Sequence, residues 1–92
     1  MTPEGIVKRD IKAHLSGIDS CWFFMPVPTG FGVRGIPDFV GCYRGRFFAI
    51  EAKRPTCGKL TPWQEKIATA IQRAGGLWFL ATSVEDIRYV FQ

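Results

Sequence analysis

Twice in this chain a threonine is followed directly by a proline, at Thr2-Pro3 and again at Thr61-Pro62. A threonine hydroxyl satisfies a free amide of a first helical turn, and proline in that turn forfeits no hydrogen bond. Each pair therefore predicts where a helix begins. Behind the first, Val7, Ile11, Leu15 and Ile18 recur at helical spacing and predict a buried stripe. Behind the second, Trp63, Ile67, Ala70, Ile71 and Ala74 predict another, which Gly75-Gly76 ends. Glu4 falls on the first stripe, within roughly 20° of Ile11 and Leu15 at ~100° per residue. Either it favours the positive end of the helix dipole at a solvated terminus, or it reaches towards a cation from the edge of the core.

The segments between and beyond these helices read as strands. Residues 22–27 are apolar on both faces, with Pro26 demoting the far end to an edge or bulge. Residues 39–43 and 47–53 flank Arg44-Gly45 and predict a hairpin, and Pro55 stops the pairing. Residues 77–81 form an apolar strand. Ser83, with Asp86 in capping-box position, predicts a last helix turning Val84, Ile87 and Phe91 inward. The expected order is α-β-β-β-α-β-α, an α/β fold with a mixed central sheet flanked by helices. With 92 residues the chain is expected to be one domain, 1–92. A core of that size is modest, so its packing must be economical or shared with a second subunit.

Several function classes lose support at once. Cys21, Cys42 and Cys57 are odd in number and far apart, unlike a disulfide framework or a zinc site, and are expected to be reduced and to serve as small hydrophobes. With a single histidine, His14, zinc chemistry, Ser-His-Asp catalysis and a histidine general base all lose support, and no role is assigned to it. No apolar run approaches the ~20 residues that span a bilayer, and the first residues do not resemble a signal peptide. A cytoplasmic protein with no membrane partner is expected. Gly30-Phe31-Gly32-Val33-Arg34-Gly35 matches the GxGxxG nucleotide fingerprint, but a strand follows it where the fingerprint requires a helix. The match is coincidental, and a loop carrying one arginine remains.

Charge is concentrated. Arg34, Arg44, Arg46, Lys53, Arg54 and Lys59 face only Asp38 and Glu51 in the same segment, which accounts for the whole net charge of +4. A basic field holding two carboxylates suggests a polyanionic ligand. Glu51 and Lys53, one residue apart on a strand, share a face; whether Asp38 meets Glu51 depends on a register that spacing leaves open. Two hard oxygen ligands beside a lysine suit Mg²⁺, which keeps several of its waters. Glu-x-Lys by itself is commonplace on the wet face of a strand.

Ile36-Pro37-Asp38 followed by Glu51-Ala52-Lys53 resembles the signature of the PD-(D/E)xK nucleases. The longer run Glu51-Ala52-Lys53-Arg54-Pro55, with Gly58-Lys59-Leu60-Thr61 and Trp63-Gln64, is similar to the VRR-NUC branch of that family. The resemblance covers essentially the whole chain and implies a restriction endonuclease-like core. It places Glu4, Asp38, Glu51, Lys53 and Gln64 at the family's catalytic positions. It implies Asp38, Glu51 and the Ala52 backbone carbonyl as ligands of Mg²⁺, with Mn²⁺ as substitute, and Glu4 as support, directly or through water. Lys53 would position or activate the attacking water, and Gln64 would orient Lys53 or the phosphate. Arg34, Arg44, Arg46, Arg54 and Lys59 are candidate DNA contacts.

Relatives consisting of this domain alone resemble phage-type Holliday junction-resolving enzymes, which implies a homodimer acting on branched DNA in a bacterial or phage-infected cell. The aromatic residues around Trp22–Met25 and at Trp78-Phe79 are candidates for its interface, and core packing is their other use. The alternatives are a non-catalytic DNA-binding module and a flap or linear-DNA nuclease without junction preference.

Overall fold

The computed structural model describes every residue except Cys57. Helix α1, Pro3–Ser16, begins where the first Thr-Pro pair predicts it: the Thr2 hydroxyl accepts the Gly5 amide at 3.0 Å. Strands β1 (Cys21–Phe24), β2 (Phe39–Tyr43) and β3 (Arg46–Ala52) follow, then helix α2 (Pro62–Arg73) and strand β4 (Leu77–Ala81). The sheet runs in the order β1-β2-β3-β4. Its first three strands are antiparallel, and α2 is the crossover that lets β4 return parallel to β3. The result is a small α/β domain with a mixed four-stranded sheet and two flanking helices.

The hairpin turn is the two residues anticipated, with Tyr43 opposite Arg46. Arg44 and Gly45 both take positive φ, 50° and 84°, which matches the twist of the paired strands. β1 stops at Phe24, before Pro26 and short of the expected residue 27.

Register assigns the two faces of the sheet. Phe39, Phe48, Ile50, Ala52 and Ala81 point towards α1 and pack with Val7, Ile11 and Leu15 into the main core. On the other face lie two cross-strand rows, Trp22–Cys42–Phe47 and Phe24–Val40–Ala49. α2 lies on this second face.

Three expectations need correction. The stripe on α2 is not a buried one: Ile67 and Ile71 are half-buried, Trp63, Ala70 and Ala74 are exposed, and the helix's one buried residue, Ala68, is not among them. Ile67, Ala70, Ile71 and Ala74 instead line one wall of an apolar groove of about 520 Å³ whose other wall includes Val33, Ile36, Val40 and Phe47. The final helix is also absent as an α-helix. Residues Val84–Asp86 and Arg88–Phe91 form two 3₁₀ turns, and the Ser83 side chain caps neither. Asp86 is drawn backwards, accepting the Thr82 amide at 2.8 Å and its hydroxyl at 3.0 Å. Ile87 and Phe91 still reach the core, as their spacing predicts. Cys21 is half-buried and free; Cys42 is free but exposed, so it is no core residue, and the expectation for Cys57 lies outside the described residues.

Candidate active site

Asp38 enters β2 directly behind the buried Pro37. Because Phe39 pairs with Ile50, the next step of the ladder brings Asp38 beside the end of β3. Asp38 Oδ2 accepts the Ala52 amide at 2.9 Å, which fixes the carboxylate against that strand. Register thus answers what spacing leaves open, and the two carboxyl groups meet on the α2 face.

Glu51 is 3% exposed, the one charged side chain buried in the described residues. Its Oε1 accepts from Gln64 Nε2 at 3.1 Å, while Oε2 is buried with no donor in reach. Burial pushes the Glu51 carboxyl up to about 8, reinforced by the adjoining Asp38 carboxylate and by the charge of Glu4. Lys53 acts in the opposite direction. A buried acid facing a second acid is unfavourable unless a proton or a cation lies between them.

Gln64 is held by the helix cap itself. Its Oε1 accepts the Thr61 amide at 2.9 Å while the Thr61 hydroxyl accepts the Gln64 amide at 3.2 Å. This reciprocal capping box leaves the Gln64 amino group to face Glu51. One residue therefore starts α2 and supports the carboxyl.

Lys53 is half-buried just beyond β3, and its backbone amide is tied to the Ala81 carbonyl at 2.9 Å. A Cβ added to Gly58 would stand 2.9 Å from Lys53 Cβ, so the loop closes tightly on the lysine stem. Glu4 does not join the pair. Lys8, one turn along α1, stands between them, 3.4 Å from Glu4 Oε2 and 3.3 Å from Asp38 Oδ1. Burial alone would lower the Lys8 pKa, but the two carboxylates outweigh it and raise it. Lys8 is the site residue that the sequence reading misses. Its signal is the Glu4–Lys8 spacing of four, an ordinary helix pair until Asp38 is seen to share it.

The basic residues separate into two groups. Arg34 lies in the loop before β2, its guanidinium 4.6 Å from the centre of the Trp63 ring. Gly35 follows with φ 80°, and a Cβ there would run into the Trp63 carbonyl group, so this loop rests on the first turn of α2. Arg54 and Lys59 are exposed in the loop that leaves β3 at the same end. Arg44 and Arg46 stand at the opposite end of the sheet, roughly 16 Å from Glu51 along β3. Arg46 is used there, donating to the Gly75 carbonyl at 3.1 and 3.3 Å. Arg44 lies over the Tyr43 ring at 5.2 Å.

A cleft of about 740 Å³ joins these parts, lined by the loop before β2, by Asp38 and Glu51, and by Thr61, Trp63 and Gln64. No cluster of three or more His, Cys, Asp or Glu side chains suited to a metal occurs among the described residues. What the cleft presents is a carboxyl pair, the Gln64 amide and the Arg34 guanidinium, with Lys8 bound to Asp38 from α1. No family model, curated protein or solved structure matches the chain.

Proposed function

We propose that this chain is a metal-dependent endonuclease of the PD-(D/E)xK kind and the VRR-NUC branch, hydrolysing phosphodiester bonds of branched DNA as a homodimer. The observation that carries the reading is the Asp38–Glu51 pair with its buried, unmatched Glu51 Oε2. Two carboxyls that cannot both ionise in isolation fit a Mg²⁺ or Mn²⁺ ion, which takes few protein oxygens and keeps most of its waters. Asp38 and Glu51 would hold it, with the Ala52 carbonyl as the third oxygen that the resemblance implies. When bound, such an ion polarises a phosphoryl oxygen and lowers the pKa of a water.

The remaining roles fall to the chain's own side chains. Gln64 keeps Glu51 oriented through its fixed amide. Lys53 offers its ammonium to the water or to charge developing on phosphorus. Arg34, which lines the cleft, and the exposed Arg54 and Lys59 in the loop after β3 would offset the repulsion between phosphates and carboxylates. Lys8 holds Asp38 Oδ1 and Glu4 together, so Glu4 acts on Asp38 through Lys8.

A homodimer is supported by the half of the sheet that α2 leaves bare. Trp22 is 65% exposed there, with Phe24 against it at 5.7 Å and Phe47 at the other end of its own row. Phe23, by contrast, is half-buried against Phe39 at 6.0 Å, and Trp78 and Phe79 are half-buried.

The second reading, a DNA-binding module without hydrolysis, is favoured by the Lys8 bridge, which already gives both Asp38 and Glu4 an ammonium partner. Cleavage of labelled four-way, flap and linear DNA in Mg²⁺, Mn²⁺ and EDTA separates the two. The expected result is metal-dependent cleavage, strongest on branched DNA and lost in Glu51→Gln. Binding without cleavage in either metal would leave the module; full activity in Glu51→Gln would remove the assigned site.

A further inference from the structure

The loop from β1 to β2 has a fixed base and a bare tip. At its base Arg34 lies over Trp63, Gly35 rests on the α2 backbone and Pro37 is buried. At its tip Phe31 is 98% exposed. Gly30, with φ 83°, and Gly32 flank it, and neither has a heavy atom within 4 Å of where a Cβ would stand. The Phe31 amide donates to Thr29 Oγ1 at 3.3 Å, which gives the tip a defined turn. A whole phenyl ring therefore stands in water, between two glycines that line the cleft containing Asp38 and Glu51. Leaving it there forfeits the burial free energy of a large apolar side chain.

We infer that Phe31 is a wedge that stacks between bases at the branch of a DNA substrate, next to the phosphate being cleaved; the inference rests on the nuclease reading. What favours a nucleic acid as occupant is the company the ring keeps. Arg34 follows three residues later, and Lys66 Nζ lies 5.8 Å from the centre of the exposed Trp63 ring. Cations interleaved with exposed aromatic rings suit a polymer of phosphates and stackable faces. Inserting an apolar side chain into a duplex costs the unstacking of a base step. At a branch the stack is already interrupted, so the cost is lowest there. The ring thus favours branched over linear DNA without reading a base sequence. A second copy of this chain is the competing occupant, but it would have to cover the mouth of the cleft.

The test uses a four-way junction and a linear duplex carrying 2-aminopurine at the branch or its linear equivalent, with Ca²⁺ in place of Mg²⁺. The parent protein is expected to change the 2-aminopurine fluorescence at the branch and leave the linear probe unaffected. Phe31→Ala is expected to lose that change and to bind the junction about 5- to 100-fold more weakly, with linear binding unaltered. Phe31→Trp is expected to keep it. The ring packs against nothing in the core, so a thermal melt of Phe31→Ala should match the parent. An unchanged signal and affinity in Phe31→Ala would overturn the wedge and leave the nuclease reading standing. A fall in molecular mass of Phe31→Ala by light scattering would assign the ring to contact between copies, which also overturns it. A parent that neither binds nor cleaves DNA would remove the nuclease reading, and the wedge with it.

Discussion

Glu51 carries opposite consequences for stability and for chemistry. Its carboxyl titrates near 8 in the fold against a usual 4.5, so between these values the folded chain holds a proton that the unfolded chain has released. Stability of the metal-free protein must therefore fall as pH rises from about 4.5 to about 8. Glu51→Gln keeps the shape and the hydrogen bond from Gln64 but removes the titration. At pH 8 it should be more stable than the parent, by about 1–3 kcal/mol, with the difference shrinking towards pH 4.5. Urea unfolding at three pH values, without divalent ions, measures this. Mg²⁺ should then raise the melting temperature of the parent at pH 8 and leave Glu51→Gln where it was. Identical pH profiles for the two proteins would mean that Glu51 is ionised and comfortable, and that the site needs no cation.

At the level of elements, what is legible in the sequence is what is decided locally. Thr2-Pro3 and Thr61-Pro62 start their helices because cap and proline act within one turn, and Arg44-Gly45 makes its hairpin for the same reason. Failures occur where a distant partner decides. Asp86 has the spacing of a capping box, but Thr82 offers it two donors and the chain turns 3₁₀ instead. Periodicity finds the apolar side of α2 correctly, yet it cannot say that the sheet beneath leaves much of that side uncovered. The meeting of Asp38 with Glu51 is likewise a matter of register, and Lys8 joins the site only because α1 crosses that end of the sheet. The hairpin itself gives a prediction. Arg44 sits at φ 50°, a conformation that favours asparagine or glycine over a long side chain. Arg44→Asn should stabilise the fold by a few tenths to about 1 kcal/mol, less whatever its contact with the Tyr43 ring contributes. Lying at the far end of the sheet from the cleft, it should leave the cleavage rate and its salt dependence unchanged. A rate that falls several-fold would place DNA across the hairpin as well.

On the scale of the whole molecule, the two faces of the sheet are used unequally. α1 and the 3₁₀ turns close one face over Phe39, Phe48 and Ile50, whereas α2 covers only part of the other. The rows Trp22–Cys42–Phe47 and Phe24–Val40–Ala49 therefore end at β1 in two large aromatic side chains that touch each other and water. A chain of 92 residues with a modest core gains by burying such a surface against its own copy, and a two-fold pair of sites suits the cutting of two strands at a junction. A stable pair would cover roughly 800 Å² on each partner, of which Trp22 and Phe24 would supply a central part. If the proposed dimer forms through this face, Trp22→Glu with Phe24→Glu should leave a monomer at micromolar concentration, read by light scattering, because two carboxylates per copy would meet at the centre of the contact. Both side chains lie outside the α1 core, so far-ultraviolet circular dichroism should be unchanged. Each monomer should still nick DNA singly, since Asp38, Glu51, Lys53 and Gln64 all come from one chain, while paired cuts in a single binding event disappear. A parent protein that is monomeric and still makes paired cuts would show that the bare face serves another purpose.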